Sequence, residues 1–184
     1  MPTYGVTTAT SAPRPGDYLS GEGHRIFTRV FPAGVTISAG TAVGAQADGS
    51  RVPVNDAAVT DTITSAATVT TYDLTNANVD ADTMEVFVGA SRDYGATLLR
   101  GTGAGGVDQV VLSADPGAGV TITVHYKLLA AKPVGVVLED VDTSGGGTQT
   151  AAVVEAGAVV RSKVTGLPAH LNYPGAHVGG LILD

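Results

Sequence analysis

The chain has 184 residues, enough to bury a hydrophobic core, and it contains no cysteine, so disulfides, zinc ribbons and iron–sulfur sites are excluded. Its net charge is −7, and its ten lysines and arginines are scattered singly, which argues against nucleic-acid binding. Charged residues make up only 15% of the chain, a composition poorly suited to a freely diffusing monomer. We therefore expect much of the surface to contact a neighbouring chain.

The abundance of glycine, threonine and valine predicts an all-β fold of short strands joined by tight turns. The first residues, MPTYG, lack a positive region followed by an apolar stretch, so no signal peptide is expected. No apolar run approaches the roughly 18 residues that a membrane-spanning helix needs. We therefore expect a protein that is synthesised and folded in a cytoplasm.

Residues 1–23 are predicted to form an N-terminal arm, because prolines and glycines punctuate the segment and apolar residues are sparse. Such a segment cannot bury enough surface to order itself. Two interpretations remain open: a flexible terminus, or an arm that becomes ordered on the surface of a partner.

Residues 24–65 change to a pattern of short strands. The segment 35–38 alternates apolar and polar residues with the period of two that a half-buried strand shows. An Asp-Gly turn dipeptide precedes the segment 51–54, in which Pro53 cannot donate a ladder hydrogen bond. The strand that contains Pro53 is therefore expected at the edge of a sheet.

Residues 66–130 are predicted to form an inserted β module with a sandwich-like fold, because turn signals separate a regular series of short strands. The predicted strands are 68–74, 83–88, 96–100, 108–113 and 120–128. The last of them alternates strictly, which places every second residue from Val120 to Tyr126 on one face.

Residues 131–184 return to the style of the first strands. The segments 150–154 and 158–164 are predicted to pair as two strands around Glu155-Ala156-Gly157. Alanines in the second of these segments also allow a helix, but its valines favour a strand. The other predicted elements are a strand at 134–138, one helical turn at 167–173 and a terminal strand at 178–183.

One glycine pattern, Gly101-x-Gly103-x-x-Gly106, has the spacing of a dinucleotide-binding motif. That motif requires a helix whose N-terminus receives the phosphate, and here a strand-like segment follows instead. We therefore expect a flexible hairpin loop.

Two acidic segments invite comparison with calcium sites. The segment 140–151 begins like a calcium-binding loop, but Ala151 occupies the position where a bidentate glutamate is needed. The segment 80–85 offers three carboxylates, from Asp80, Asp82 and Glu85. Solvated turns are the favoured interpretation of both segments, and calcium binding remains the alternative.

Catalytic patterns are weak throughout the chain. The four histidines show no zinc-binding spacing, and no Gly-x-Ser-x-Gly nucleophile elbow is present. Nor does a patch of basic and aromatic residues support binding of single-stranded nucleic acid. We expect a protein that is not an enzyme and that uses no cofactor and no metal.

Four segments together resemble the head decoration proteins of lambda-like tailed phages. They are VTISAGTAVG at 35–44, KPVGVVLEDVD at 132–142, TAAVVEAGAVVRSKV at 150–164 and GGLIL at 179–183. The resemblance covers about half of the chain. It implies a small β-tulip or barrel-like decoration domain made of residues 24–65 and 131–184, with the module 66–130 inserted and projecting outward.

The resemblance also implies a function without chemistry. Homotrimers would sit at three-fold positions on the outer surface of the virion head, and the N-terminal arm would add an edge strand to the major capsid protein. Preferential binding to the expanded head would stabilise that state by linkage. Nucleic acid and membrane are not expected partners.

Aromatic and aliphatic anchors dominate such interfaces, so we predict capsid contacts among the apolar residues of the arm and of the first strand. The predicted contact residues are Tyr4, Val6, Tyr18, Ile26 and Phe27. Packing in the core or disorder remains the alternative for each of them.

Two other functions stay open. A tail-tube or fibre-associated β protein of a phage would form hexamers or long assemblies. A lectin-like carbohydrate binder or an enzyme would use the glycine loop of the inserted module. Tyr94 is the only aromatic residue near that loop in sequence, although Tyr126 could approach it in space.

Overall fold

A computed structural model of the protein describes residues 19–171, 175–178 and 180–184, and it confirms the prediction of an all-β fold. No helix of seven or more residues occurs in these ranges, and no helix within them is long and apolar enough to cross a membrane. The sheets formed by the same residues do not close into a barrel, so the barrel-like closure expected for a decoration domain is not observed.

In chain order the strands are β1 (Leu19–Phe31), β2 (Thr36–Ile37), β3 (Ala42–Ala45), β4 (Arg51–Pro53), β5 (Val59–Thr64), β6 (Thr71–Asp73), β7 (Glu85–Val88), β8 (Ser91–Arg92), β9 (Thr97–Leu99), β10 (Gln109–Val111), β11 (Thr121–Tyr126), β12 (Pro133–Val137), β13 (Val141–Asp142), β14 (Gln149–Val159), β15 (His177–Val178) and β16 (Gly180–Leu183). Short 3₁₀ turns lie at Ala81–Thr83, Ala104–Gly106, Leu129–Ala131, Arg161–Lys163 and Ala169–Leu171. The last of these turns falls within the predicted helical turn at 167–173.

The chain divides into two compact units. The first unit combines the described residues up to Ala42 with those from Val134 onward, and the second unit is Val43–Pro133. The predicted inserted module, 66–130, lies inside the second unit.

β14 is the central strand of the first unit. β1 runs antiparallel to it from Leu19 opposite Val159 to Phe31 opposite Gln149. β12 pairs with β14 in antiparallel orientation and β16 pairs with it in parallel orientation, while β15 pairs with β16. The buried core of this unit consists of Val136, Leu138, Val154, Val159, Ala176, Leu181 and Leu183.

Because β14 is one continuous strand of 11 residues, the prediction of two strands paired around Gly157 is wrong. Gly157 adopts a left-handed φ of +110°, and a Cβ there would lie 2.7 Å from a ring carbon of His24. The register of β1 against β14 shifts between Ser20 and Ile26, in the same part of the ladder. The glycine therefore accommodates a bulge between two long strands rather than a hairpin turn.

The second unit builds two sheets around one core. The first sheet has the order β5–β11–β7–β8, and the second has the order β6–β10–β9. Both sheets contribute to a single buried cluster, as in a small β-sandwich. That cluster contains Tyr72, Leu74, Val79, Val86, Val110, Leu112, Ile122, Val124 and Tyr126.

β11 joins β5 to the second unit. Its residues Ile122, Val124 and Tyr126 are buried, as the alternating pattern predicts. β5 pairs with β11 over its whole length, so the unit starts before the predicted boundary at residue 66. The second unit also contains β4 and most of β3, which pair with each other and belong to neither of the two sheets around its core. β4 is the last strand of its own sheet, which confirms that Pro53 lies in an edge strand.

Candidate functional site

β1 exposes apolar side chains on both of its faces. Successive side chains of a strand point to opposite faces, so Ile26 and Val30 share one face while Phe27 lies on the other. Their exposed fractions are 49%, 45% and 41%, whereas Phe31 at the end of the strand is fully buried. These three residues, the β1 patch, are half of the six large hydrophobic side chains exposed in the described ranges. Three exposed apolar side chains within five residues of one strand make a surface that a partner could cover from either face.

The backbone of β1 also has an unpaired edge. Ile26 lies opposite Val154 and Phe27 opposite Val153, and both of these β14 residues are fully buried. Among the strands that the structure describes, β14 is the only one that pairs with β1. A strand of 13 residues with one such edge presents a row of backbone donors and acceptors to any chain that approaches.

Arg29 holds Phe27 in place. Its Nε donates a hydrogen bond of 2.8 Å to Oε1 of Glu155, and a second guanidinium nitrogen contacts Oε2 of the same carboxylate. The guanidinium carbon lies 4.7 Å from the centre of the Phe27 ring. The hydrogen bond with Glu155 raises the pKa of Arg29 above its ordinary value. Because the ring is already held by this contact, Phe27 loses little conformational freedom when a partner binds.

The predicted contact residues divide into two groups. Ile26 and Phe27 lie on the exposed part of β1, so they are not core residues. Tyr4, Val6 and Tyr18 lie outside the described residues. A role in contacting a capsid stays a prediction for all five. Val30 was not predicted, although its spacing of four residues from Ile26 in a β-rich segment already places both side chains on one face.

The glycine loop at 101–106 joins β9 and β10, which pair in antiparallel orientation, so the predicted hairpin loop is confirmed. The buried carboxylate of Asp108 anchors it by accepting hydrogen bonds of 2.8 Å from the backbone N–H groups of Gly101 and Val79. A shallow cleft of about 250 Å³ lies beside the loop, and its lining residues include no aromatic side chain. A sugar site of the kind considered for this loop would therefore lack its stacking platform.

The acidic segments are occupied by contacts within the protein. Nζ of Lys132 lies 2.7 Å from Asp80 and 3.4 Å from Asp82, and the hydrogen bond with Asp80 raises the pKa of this lysine. Asp140 accepts a hydrogen bond of 2.8 Å from the backbone of Ala39. Across the part of the chain that the structure describes, no group of three or more His, Asp or Glu side chains is arranged to hold a metal ion.

No protein-family model matches this sequence, no curated protein is significantly similar to it, and no solved structure is significantly similar to its fold. The geometry of the β1 patch and of the two units is therefore the basis for assigning a function.

Proposed function

We propose that the chain is a phage capsid decoration protein that binds the outer surface of the expanded head as a homotrimer at three-fold positions. The observation that carries this proposal is β1, a long strand with exposed apolar side chains on both faces and one edge that no described strand pairs. This combination suits adhesion to another protein, and the proposal includes no chemical step.

In the proposed complex, a strand of the major capsid protein pairs with the unpaired edge of β1. Main-chain hydrogen bonds give such a strand addition its affinity, and the flanking side chains give it specificity. Complete burial of a valine, isoleucine or phenylalanine contributes about 1.5–3 kcal/mol, so covering the half-exposed β1 patch contributes about 3 kcal/mol per copy. Three copies in one trimer would multiply the effect, because the second and third contacts form at high effective concentration.

Residues 1–18 directly precede β1, and three of the predicted contact residues lie there: Tyr4, Val6 and Tyr18. The predicted arm, residues 1–23, thus overlaps β1 from Leu19 onward, and in the proposed complex arm and β1 contact the same capsid surface. The exposed β1 patch is present before binding and supplies the first contact.

Charge composition supports a position on the outside of a head. The chain carries a net charge of −7, and it has no need to touch packaged DNA, which would favour clustered lysines and arginines. With only 15% charged residues, much of the surface is compatible with burial against neighbouring subunits.

The proposed function is tested by co-sedimentation with heads assembled from the major capsid protein encoded in the same genome. Expanded heads should deplete the chain from solution, and compact precursor heads should deplete it less, because selective binding is what stabilises the expanded state. Failure to sediment with either form would contradict the proposal.

Light scattering coupled to size exclusion separates decoration from the alternative phage function. A mass of three chains, free in solution or measured after release from heads, is expected for the decoration protein. A hexamer or an open-ended polymer would instead indicate a tail-tube or fibre-associated protein.

A further inference from the structure

The second unit exposes one aromatic ring almost completely. Tyr94 lies in the turn between β8 and β9, and 85% of its surface is exposed. The other large hydrophobic side chains exposed in the described ranges reach at most 49%. Most of Tyr94 is therefore accessible to a ligand.

Arg92 orients the Tyr94 ring. The guanidinium carbon of Arg92 lies 5.1 Å from the ring centre, within the range of a cation–π contact. A nitrogen of the same guanidinium lies 2.9 Å from Oε1 of Glu85 on the paired strand β7. Arg92 contacts one part of the ring, while most of Tyr94 stays accessible. The Tyr94 ring is therefore held in one orientation and is open to a ligand.

The turn that carries Tyr94 is fixed by Asp93. Its carboxylate accepts hydrogen bonds of 3.0 Å from the backbone N–H of Gly95 and of 2.9 Å from that of Ser113. A Cβ on Gly95 would lie 2.8 Å from the Cβ of Ser113, so only glycine allows this close approach. Because the turn is bound to the segment around Ser113, Tyr94 has a rigid base.

A cleft of about 300 Å³ adjoins this turn and has both polar and apolar walls. Tyr94 is not one of its lining residues, but it directly follows two of them, Arg92 and Asp93, and its ring contacts Arg92. Its apolar surface includes Val88 and Pro116, and its hydroxyl groups come from Ser91 and Ser113. The carboxylates of Asp93 and of Asp115 complete it. Asp115 is itself held by hydrogen bonds of 2.8 Å and 3.0 Å from backbone N–H groups, which leave lone pairs free to accept from a ligand.

We infer that this cleft and Tyr94 form a binding site for a neutral carbohydrate of one or two sugar units. A sugar ring presents an apolar C–H face that packs on an aromatic ring, and its hydroxyl groups donate to carboxylates and exchange hydrogen bonds with serines. Two carboxylates disfavour an anionic sugar, and Arg92 disfavours a cationic ligand. The volume lies at the lower end of the range of about 300–1,000 Å³ for ligand pockets, which matches a small saccharide.

Nuclear magnetic resonance of the full-length ¹⁵N-labelled chain tests the site directly. The probes are the methyl glycosides of glucose, galactose, mannose and N-acetylglucosamine, each titrated separately. Saturable shifts are expected with at least one probe, at the amides of residues 91–95 and 113–117. Tyr94→Ala should weaken that binding about tenfold. Tyr94→Phe, which keeps the ring, should retain the affinity.

Leu99→Ala is the matched control, because Leu99 is a 43% exposed hydrophobic residue of the same unit outside the cleft, and it should leave binding unchanged. The inference is overturned if none of the four glycosides gives a saturable shift, or if Tyr94→Ala binds as well as the unaltered chain. Tighter binding of an anionic probe, the methyl glycoside of sialic acid, would overturn the assignment to neutral sugars. The proposed capsid contact lies on β1 and not at Tyr94, so sedimentation of Tyr94→Ala with heads reports on the proposed function independently.

Discussion

The two units differ in the side chains that depart from the usual rule of apolar inside and polar outside. The second unit buries a carboxylate, and the first exposes apolar side chains. In the second unit the buried carboxylate of Asp61, 8% exposed, accepts hydrogen bonds of 2.8 Å from the backbone of Thr75 and from the hydroxyl of Tyr126. In the first unit β1 leaves Ile26 and Val30 nearly half exposed. In the second unit this buried carboxylate thus finds its partners within the protein, whereas β1 of the first unit leaves apolar side chains that another molecule could cover.

This difference indicates where assembly and where ligand recognition would reside. A strand with exposed apolar side chains and an edge that no described strand pairs lowers its free energy when a protein covers it, so the proposed adhesion belongs to the first unit. The second unit has a core of its own and holds its exposed aromatic ring on a turn fixed by Asp93, so the inferred ligand site belongs to this unit. Changes in one unit should therefore leave the property of the other unaltered.

The largest expected effect follows from placing charge on β1. Ile26→Asp combined with Val30→Asp would force two carboxylates into the proposed interface, and affinity for expanded heads should fall about a hundredfold. Both side chains are nearly half exposed, so circular dichroism should show an intact fold. Leu99→Asp, which places the same charge on an exposed hydrophobic site of the second unit, should sediment with heads normally. Equal binding by the unaltered chain, the double variant and Leu99→Asp would show that β1 does not form the interface.

A smaller effect, on stability alone, is expected from Asp61→Ala. The substitution leaves the buried Tyr126 hydroxyl and the Thr75 backbone N–H without their acceptor, which should cost about 2 kcal/mol of unfolding free energy. Urea unfolding followed by circular dichroism measures the loss, and Asp61→Asn, which keeps one acceptor oxygen, should lose less. Head binding below the unfolding transition should not change. An unaltered urea midpoint would show that this network does not stabilise the second unit.

The smallest expected effect is a dependence of stability on alkaline pH. Burial raises the pKa of Tyr126 to about 12 from its ordinary value of 10.0, and the hydrogen bond with Asp61 acts in the same direction. Above pH 10 the unfolded chain loses this proton while the folded chain keeps it. The contribution to stability is therefore complete below pH 10 and is lost as pH rises towards 12.

Urea midpoints measured between pH 9 and pH 12 check this sign. Tyr126→Phe should remove part of the decline, whereas Tyr94→Phe, at an exposed site, should keep it. A decline of the same size in the Tyr126→Phe variant would place the alkaline sensitivity elsewhere in the molecule.

Local patterns predicted those elements whose signals are contained in a few neighbouring residues. The alternation of β11 identified its buried face at Ile122 and Val124, and the ring of Pro53 identified an edge strand. The hairpin at 101–106 followed from a strand-like segment after the glycines. In each case the element is determined by a backbone preference or by an alternation with a period of two, and both can be read from a few neighbouring residues.

Such local patterns could not predict how segments that are distant in the sequence pair. Gly157 resembles a turn, but its φ of +110° accommodates a bulge opposite His24, more than 130 positions earlier in the chain. The Arg29–Glu155 contact that holds Phe27 likewise joins residues 126 positions apart. The turn that carries Tyr94 depends on the close approach of Ser113 to Gly95, which no local pattern in the sequence predicts. These features arise from the register of the sheets and not from composition.

Hydrogen exchange measured by mass spectrometry, on the chain alone and bound to expanded heads, tests the role of β1 most directly. If a capsid strand pairs with the unpaired edge, peptides covering residues 19–31 should exchange about tenfold more slowly in the bound state. Peptides covering 85–99 of the second unit should keep their rates. Protection of 85–99 with unaltered exchange at 19–31 would contradict the assignment of adhesion to the first unit.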